Sequence, residues 1–332
     1  MKDMSRLRRA VVAVGVIALL GALVSVAAAA TKKPDLTKAG LGKLSGNVSA
    51  DGSSTVGPYT TAAAELFRRA GAGKVNVTVG ISSTGGGFER FCKGETDLSD
   101  ASRPMRVREA AVCKTNNIGS WRAFTVANDA LTVVVNRDNT WATCLTVAEL
   151  KKIWEPGSKV NNWRDVRSSF PNEPLRLFGA GTDSGTFEYF TEAINGRARA
   201  SRSDYQASED DNVLVQGVAG TKGAMGYFGF SYFEENQTRL KALQIENPKT
   251  GQCVAPSVQT AQSNAYKPLA RPLFIYAKGS SFRRPEVQAF LAYIFANEQA
   301  IARRARFVPL TTAQLKRART NFDLALKAAA RT

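Results

Sequence analysis

Three short clusters of hydroxyl residues and glycines carry the chemistry of this chain. They are Asp51-Gly52-Ser53-Ser54-Thr55, Ser82-Ser83-Thr84-Gly85-Gly86-Gly87 and Thr182-Asp183-Ser184-Gly185-Thr186. Each falls where a strand-like run gives way to a helix-like run. Free backbone N–H groups at a helix start, helped by Ser and Thr hydroxyls, hold an oxyanion without a full countercharge. Arg103, in Ala101-Ser102-Arg103-Pro104, adds a guanidinium fork that matches a tetrahedral anion in geometry and charge. Each feature alone has a plainer reading, a flexible turn or a surface arginine. Together they describe a site built to hold an anion. Consecutive glycines are costly to order, so the backbone at Gly85-Gly86-Gly87 is expected to approach something closely.

Several chemistries are excluded. The 332 residues include no histidine. That removes Ser-His-Asp and Cys-His mechanisms and every histidine metal site. Asp183-Ser184-Gly185-Thr186 matches the Asp-Ser/Thr-Gly pattern of aspartic proteases, but those enzymes share a proton between two such carboxylates. No second copy exists here, and Asp51-Gly52-Ser53 is only a distant echo. No metal and no cofactor are expected. The net charge of +17 calls for an anionic partner. The basic residues are scattered and no nucleic-acid-binding signature is present, so nucleic acid is not expected. Trp121, Trp141, Trp154 and Trp163 form no stripe and read as packing. Asp129 is either a turn residue or the partner of a ligand-binding group.

The elements around these clusters alternate. Met1 to Arg9 carries Lys2, Arg6, Arg8 and Arg9, and an apolar run ends in Ala27-Ala28-Ala29-Ala30. Residues 1–30 read as a secretory signal peptide, or as an N-terminal membrane anchor if uncleaved. Residues 31–44 read as a linker. Strands are expected near Gly46–Ala50, Val75–Val79, Leu131–Val135, Leu175–Phe178 and Leu273–Tyr276. Helices are expected after Pro58, over Phe88–Cys92, from Thr146, from Ser184, after Pro285 and from Thr311. Alternating strands and helices indicate an α/β architecture. The four cysteines, Cys92, Cys113, Cys144 and Cys253, include no Cys-x-x-Cys. An even count in an exported chain argues for two disulfides, with three pairings open.

The ordered set Asp51-Gly52-Ser53-Ser54-Thr55-Val56, Ser83-Thr84-Gly85-Gly86-Gly87-Phe88, Asp97-Leu98-Ser99-Asp100-Ala101-Ser102-Arg103-Pro104 and Gly181-Thr182-Asp183-Ser184-Gly185-Thr186 resembles the phosphate-binding proteins of bacterial phosphate ABC importers. Val308-Pro309-Leu310 is similar too, and the resemblance runs from about Ser45 to about Phe322. It implies a two-lobed periplasmic-binding-protein fold, α/β in class, with the ligand in an interlobe cleft. Lobe one would be residues 45–128 plus 268–325, and lobe two residues 129–267. Ser54, Thr55, the Val56 backbone N–H, Thr84, Gly85 and Ser102 would bind phosphate from lobe one. Ser184, Gly185 and Thr186 would do so from lobe two. Ser102 stands where the well-studied branch has an acid, and Ala180 where it has an arginine. The cationic role therefore falls to Arg103, as in the branch with a Ser-Arg-Pro motif. Phosphate keeps a proton near neutral pH and sulfate has none, so a carboxylate acceptor selects phosphate. With Ser102 in the acid's place, Asp183 is the expected substitute, ahead of Asp51, Glu89 and Asp100.

The implied lobes also favour the pairings Cys92–Cys113 and Cys144–Cys253, which leave the hinge free. The implied protein is a periplasmic or secreted, monomeric receptor, not an enzyme. It would deliver inorganic phosphate to an inner-membrane ABC permease. A receptor for sulfate, molybdate or tungstate is the alternative within the class. A phosphoester hydrolase with a Ser or Thr nucleophile is another, weakened by the missing histidine and the lack of a compact carboxylate cluster for a metal. An adhesion or structural protein is a further one.

Overall fold

The computed structural model describes residues 33–182 and 184–330. The signal peptide read in residues 1–30 and Asp183 lie outside the described residues. Among those described, the strands are β1 Gly46–Gly52, β2 Val75–Ile81, β3 Leu98–Ala101 and β4 Trp121–Asn136. Then follow β5 Cys144–Leu145, β6 Arg176–Ala180, β7 Gln206–Ser208 and β8 Ala224–Gly229. The last are β9 Leu240–Ala242, β10 Gln244–Glu246, β11 Cys253–Val254 and β12 Ala270–Lys278. The main sheet runs in the order β2-β1-β3-β12-β4-β8-β6-β7, with β9 also on β4. At one end β1 pairs in parallel with β2 and β3, and at the other β6 pairs in parallel with β7 and β8. The long antiparallel pair β4 and β12 joins these halves. Strands β5, β10 and β11 form a small second sheet.

Two large hydrophobic cores sit on either side of that joint. Phe124, Val126 and Ala127 of β4 and Leu273 and Ile275 of β12 enter the first, with Phe67, Phe290 and Phe322. Ala130, Leu131 and Val133 of β4 and Ala270 of β12 enter the second, with Trp154, Trp163, Phe190 and Tyr227. The chain therefore crosses between two lobes at Asn128-Asp129 and Arg271-Pro272, which face each other in register. Beside them, Val308 bridges Asn128.

Local sequence explains most helix starts. Pro58 sits in the first turn of the helix Gly57–Ala70, where its missing N–H costs nothing. Thr146 and Thr311 cap their helices and receive reciprocal bonds from Glu149 and Gln314. Ser184 caps the helix Gly185–Asn195 by accepting from the Thr186 N–H at 3.1 Å. Two elements differ from expectation. The glycine triplet does not precede its helix; it lies inside one, Ser83–Cys92. A Cβ on Gly87 would stand 2.8 Å from the Asp51 carbonyl oxygen and collide with Gly52 Cα. The close approach inferred from these glycines is thus, at Gly87, between helix and strand. Residues 33–44, read as part of a linker, hold the helix Lys38–Leu41, and Leu41 is fully buried in the first core.

The disulfides are Cys92–Cys113 and Cys144–Cys253, the pairing expected. The first ties the helix Ser83–Cys92 to the helix Val107–Thr115, and the second ties β5 to β11. Among the described residues no helix is long and apolar enough to cross a membrane.

Candidate functional site

Where the lobes meet, Ser53, Thr55, Ser83, Thr84, Gly85, Ser102 and Arg103 face Gly185, Glu188, Tyr189 and Glu192 across a cavity of 190 Å³, with Arg271 at its base. The first wall is built from the ends of β1 and β3 and the start of the Gly-rich helix. Ser53 Oγ accepts from the Thr55 N–H at 3.2 Å. Thr84 Oγ1 lies 3.0 Å from Ser102 Oγ and accepts from the Ser102 N–H at 3.2 Å. Ser83 holds φ at 70°, a left-handed conformation that non-glycine residues rarely adopt. Beneath this wall Asp51 accepts from Ser82 Oγ and, at 2.7 Å, from Arg90 Nη1. Buried Asp100 accepts from Thr60 Oγ1 at 2.9 Å. Burial pushes the Asp100 carboxyl up to about 7, against the Thr60 bond and with help from the Asp51 charge.

The second wall is the first turns of the helix Gly185–Asn195. The walls touch directly. Thr55 Oγ1 lies 3.4 Å from the Gly185 carbonyl oxygen, and Ser54 Oγ donates to Glu188 Oε2 at 3.3 Å. A Cβ on Gly185 would stand 2.7 Å from the Thr55 nitrogen, so a side chain there would hold the lobes apart.

Each arginine on the cavity is paired with a carboxylate. Arg103 forks onto Glu109 with bonds of 2.9 and 2.8 Å, Arg106 lies 3.7 Å from Glu192, and Arg271 Nε donates to Asp129 at 3.3 Å. Burial raises the Glu109 carboxyl, but the bonds from Arg103 and the Arg106 N–H outweigh it and hold it below the usual range. The bond to Glu109 raises the Arg103 guanidinium in turn. At Asp129 burial prevails over the Arg271 charge and the carboxyl is raised. The excess positive charge of the chain is therefore not concentrated here; the site offers oriented donors.

Arg271 went unnoticed in the sequence, yet it contacts both walls, at Thr55 and at Tyr189. Its side chain is only 13% exposed at the lobe crossing. Its Nη2 donates to Thr55 Oγ1 at 2.9 Å, and its guanidinium lies 3.4 Å from the centre of the Tyr189 ring. The available signal was an arginine set in the otherwise apolar run Leu269-Ala270-Arg271-Pro272-Leu273. Glu188 and Glu192 are also new; in the sequence they read as the outer face of a helix.

Of the residues expected at the site, Thr55, Thr84, Gly85, Ser102, Arg103 and Gly185 line the cavity. Ser54 bridges to Glu188, and Ser184 and Thr186 form the helix start behind Gly185. Val56 departs from expectation. Its N–H bonds the Ser53 carbonyl at 3.1 Å and its side chain is buried in the first core, because it caps the helix that follows. The lesser acid candidates are engaged elsewhere: Asp51 and Asp100 beneath the wall, and Glu89 with Lys93 at 2.7 Å.

Residues 37–298 match the family model of a PBP superfamily domain. The chain belongs to the PBP superfamily. It is 48% identical to protein SphX of Synechococcus elongatus over 280 residues, 82% of each chain. It is 34% identical to the phosphate-binding protein PstS of Staphylococcus saprophyticus, over 81% of this chain and 82% of the relative. Among solved structures, a possible phosphate binding protein from Planctomyces limnophilus superposes with a TM-score of 0.81 at 46% identity. That match covers 85% of this chain and 99% of the other. The fold of this PBP-superfamily member is accordingly the two-lobed one.

Proposed function

We propose that this PBP-superfamily protein is an extracytoplasmic receptor for inorganic phosphate that passes its ligand to an ABC permease. The observation that carries the reading is the cavity itself. Hydroxyls of Thr55, Thr84 and Ser102 and the guanidinium groups of Arg103 and Arg271 meet between lobes that touch at Thr55 and Gly185. Such a site surrounds a tetrahedral anion with charge-assisted donors. The carboxylates of Glu188 and Glu192 on the facing helix supply acceptors for a protonated oxyanion and repel an unprotonated one. The 46% identity to a possible phosphate binding protein and the 34% identity to PstS support phosphate as that anion.

The two cores support lobes close to residues 45–128 plus 268–325 and residues 129–267, with Leu269, Ala270 and Val308 packing in the second core. Ser54, Thr55, Thr84, Gly85, Ser102, Arg103, Ser184, Gly185 and Thr186 belong to the proposed site, with Arg271, Glu188 and Glu192 added and Asp183 kept from the sequence. The protein acts as a periplasmic or secreted monomer and turns nothing over.

Calorimetry of the mature protein with phosphate, sulfate, molybdate and tungstate tests the reading. Phosphate at a hundredfold excess over its dissociation constant stabilises the fold by about 2.7 kcal/mol. A melting curve unmoved by millimolar phosphate, or tighter binding of sulfate or molybdate, would overturn it. Release of a chromophore from a phosphoester would point to the hydrolase instead.

A further inference from the structure

Arg103 is held from outside the cavity. Its Nη1 and Nη2 donate to the two oxygens of Glu109, at 2.9 and 2.8 Å, and Nη1 also donates to the Pro104 carbonyl at 3.1 Å. These bonds occupy one edge of the guanidinium. The other edge, Nε and the outer N–H of Nη2, has no protein partner among the described residues. Nη2 stands 3.8 Å from where a Gly85 Cβ would be, on the cavity side. The Phe88 ring lies 5.7 Å from the guanidinium carbon.

Glu109 is itself fixed. Its carboxylate accepts from the Arg106 N–H at 2.7 Å, so it cannot swing away without uncapping its own helix. That helix is tied to the Gly-rich helix by Cys92–Cys113, and Cys92 Sγ lies 3.5 Å from the Glu109 carbonyl oxygen. Glu109 does not line the cavity.

We infer that Glu109 is a positioning residue for anion binding: it takes one edge of Arg103 so that the other edge meets the ligand. The inference rests on the phosphate-receptor reading. Two effects oppose each other here. The Glu109 carboxylate subtracts charge from the site and on that account weakens anion binding. It also removes the freedom of a long side chain, and a pre-aimed fork loses less on binding. The inference is that the second effect is the larger.

A double-mutant cycle decides it. Inorganic phosphate is titrated by calorimetry into the wild type, Glu109→Ala, Arg103→Ala and the double variant. Glu109→Ala is expected to weaken binding at least tenfold in the wild-type background and less than twofold in the Arg103→Ala background. Glu109→Gln keeps an oxygen acceptor without the charge; it is expected to restore part of the loss, and it carries the same cycle where the alanine variant does not fold. Equal losses in both backgrounds would make Glu109 merely a helix cap. Unchanged or tighter binding by Glu109→Ala would make it a competitor of the ligand. Either result overturns the inference while wild-type binding leaves the receptor reading standing. A wild type that ignores phosphate overturns both.

Discussion

The two walls of the cavity are made differently. The lobe-one wall is loop and helix start, with hydroxyls and N–H groups crowded onto it and a covalent tie behind it at Cys92–Cys113. The lobe-two wall is a single helix, anchored by Phe187 and Phe190 in the second core, and it brings carboxylates at Glu188 and Glu192. One wall mainly donates and the other can accept. A ligand that only accepts hydrogen bonds is served by the first wall alone. A ligand with both oxygens and a hydroxyl is served by both. On the proposed reading, selectivity would reside in this difference between the walls and not in the bulk charge of the chain.

Arg271 belongs to neither wall and clamps both, so its loss breaks the comparison most severely. Arg271→Ala is expected to weaken phosphate binding by about 2–5 kcal/mol. It also leaves Asp129 buried without its partner, which costs the fold about 3–5 kcal/mol. Calorimetry and denaturant unfolding measure the two losses, and full affinity in the folded variant would remove Arg271 from the site.

Asp100 tests what lies under the donor wall. Burial raises its folded pKa to about 7, above the 3.8 usual for an aspartate. Its stabilising contribution is therefore complete below about 3.8 and is lost as pH rises through about 7. Over that interval each pH unit costs the wild type about 1.4 kcal/mol. Asp100→Asn is expected to reduce this slope by its own share, leaving the part from Glu298, raised by burial to about 7, from Asp211, raised to about 6, and from Asp129, also raised. Equal slopes in variant and wild type would show Asp100 to be ionised in its pocket.

The smallest expected effect bears on the acceptor wall. Glu188→Gln is expected to narrow phosphate-over-sulfate discrimination at least tenfold, about 1.4 kcal/mol. Asp183→Asn is the companion variant, since that residue was the acid candidate from sequence. Competition titration gives both ratios. If only the Asp183 variant moves, the acceptor belongs to the loop and the helix carboxylates are bystanders.

The donor wall was legible in the sequence because its chemistry is local. Ser53 to Thr55, Thr84 to Gly85 and Ser102 to Arg103 are short motifs whose residue types state their use. Several helix starts were legible for the same reason, through Pro58, Thr146, Ser184 and Thr311. The acceptor wall and the clamp were not. Glu188 and Glu192 follow the period of an outward helix face, and only the approach of the other lobe sets them on the cavity. Arg271 meets Thr55 from 216 positions away in the chain, which no local pattern records. The bond that the Val56 N–H makes in the Ser53 turn was not legible, because it depends on backbone angles and not on residue type.

The second disulfide has a topological consequence. The chain enters lobe two on β4 and leaves it on β12, and Cys144–Cys253 closes most of that excursion into a covalent ring. A protease cut at an exposed turn such as Lys249-Thr250-Gly251 opens the ring without releasing a fragment. On an oxidised gel the nicked protein keeps its full mass, and it falls into two pieces only after reduction. A cut outside both disulfide rings, residues 92–113 and 144–253, has no such protection. One bond thus turns most of the inserted lobe into a segment that can be severed once and still remain attached.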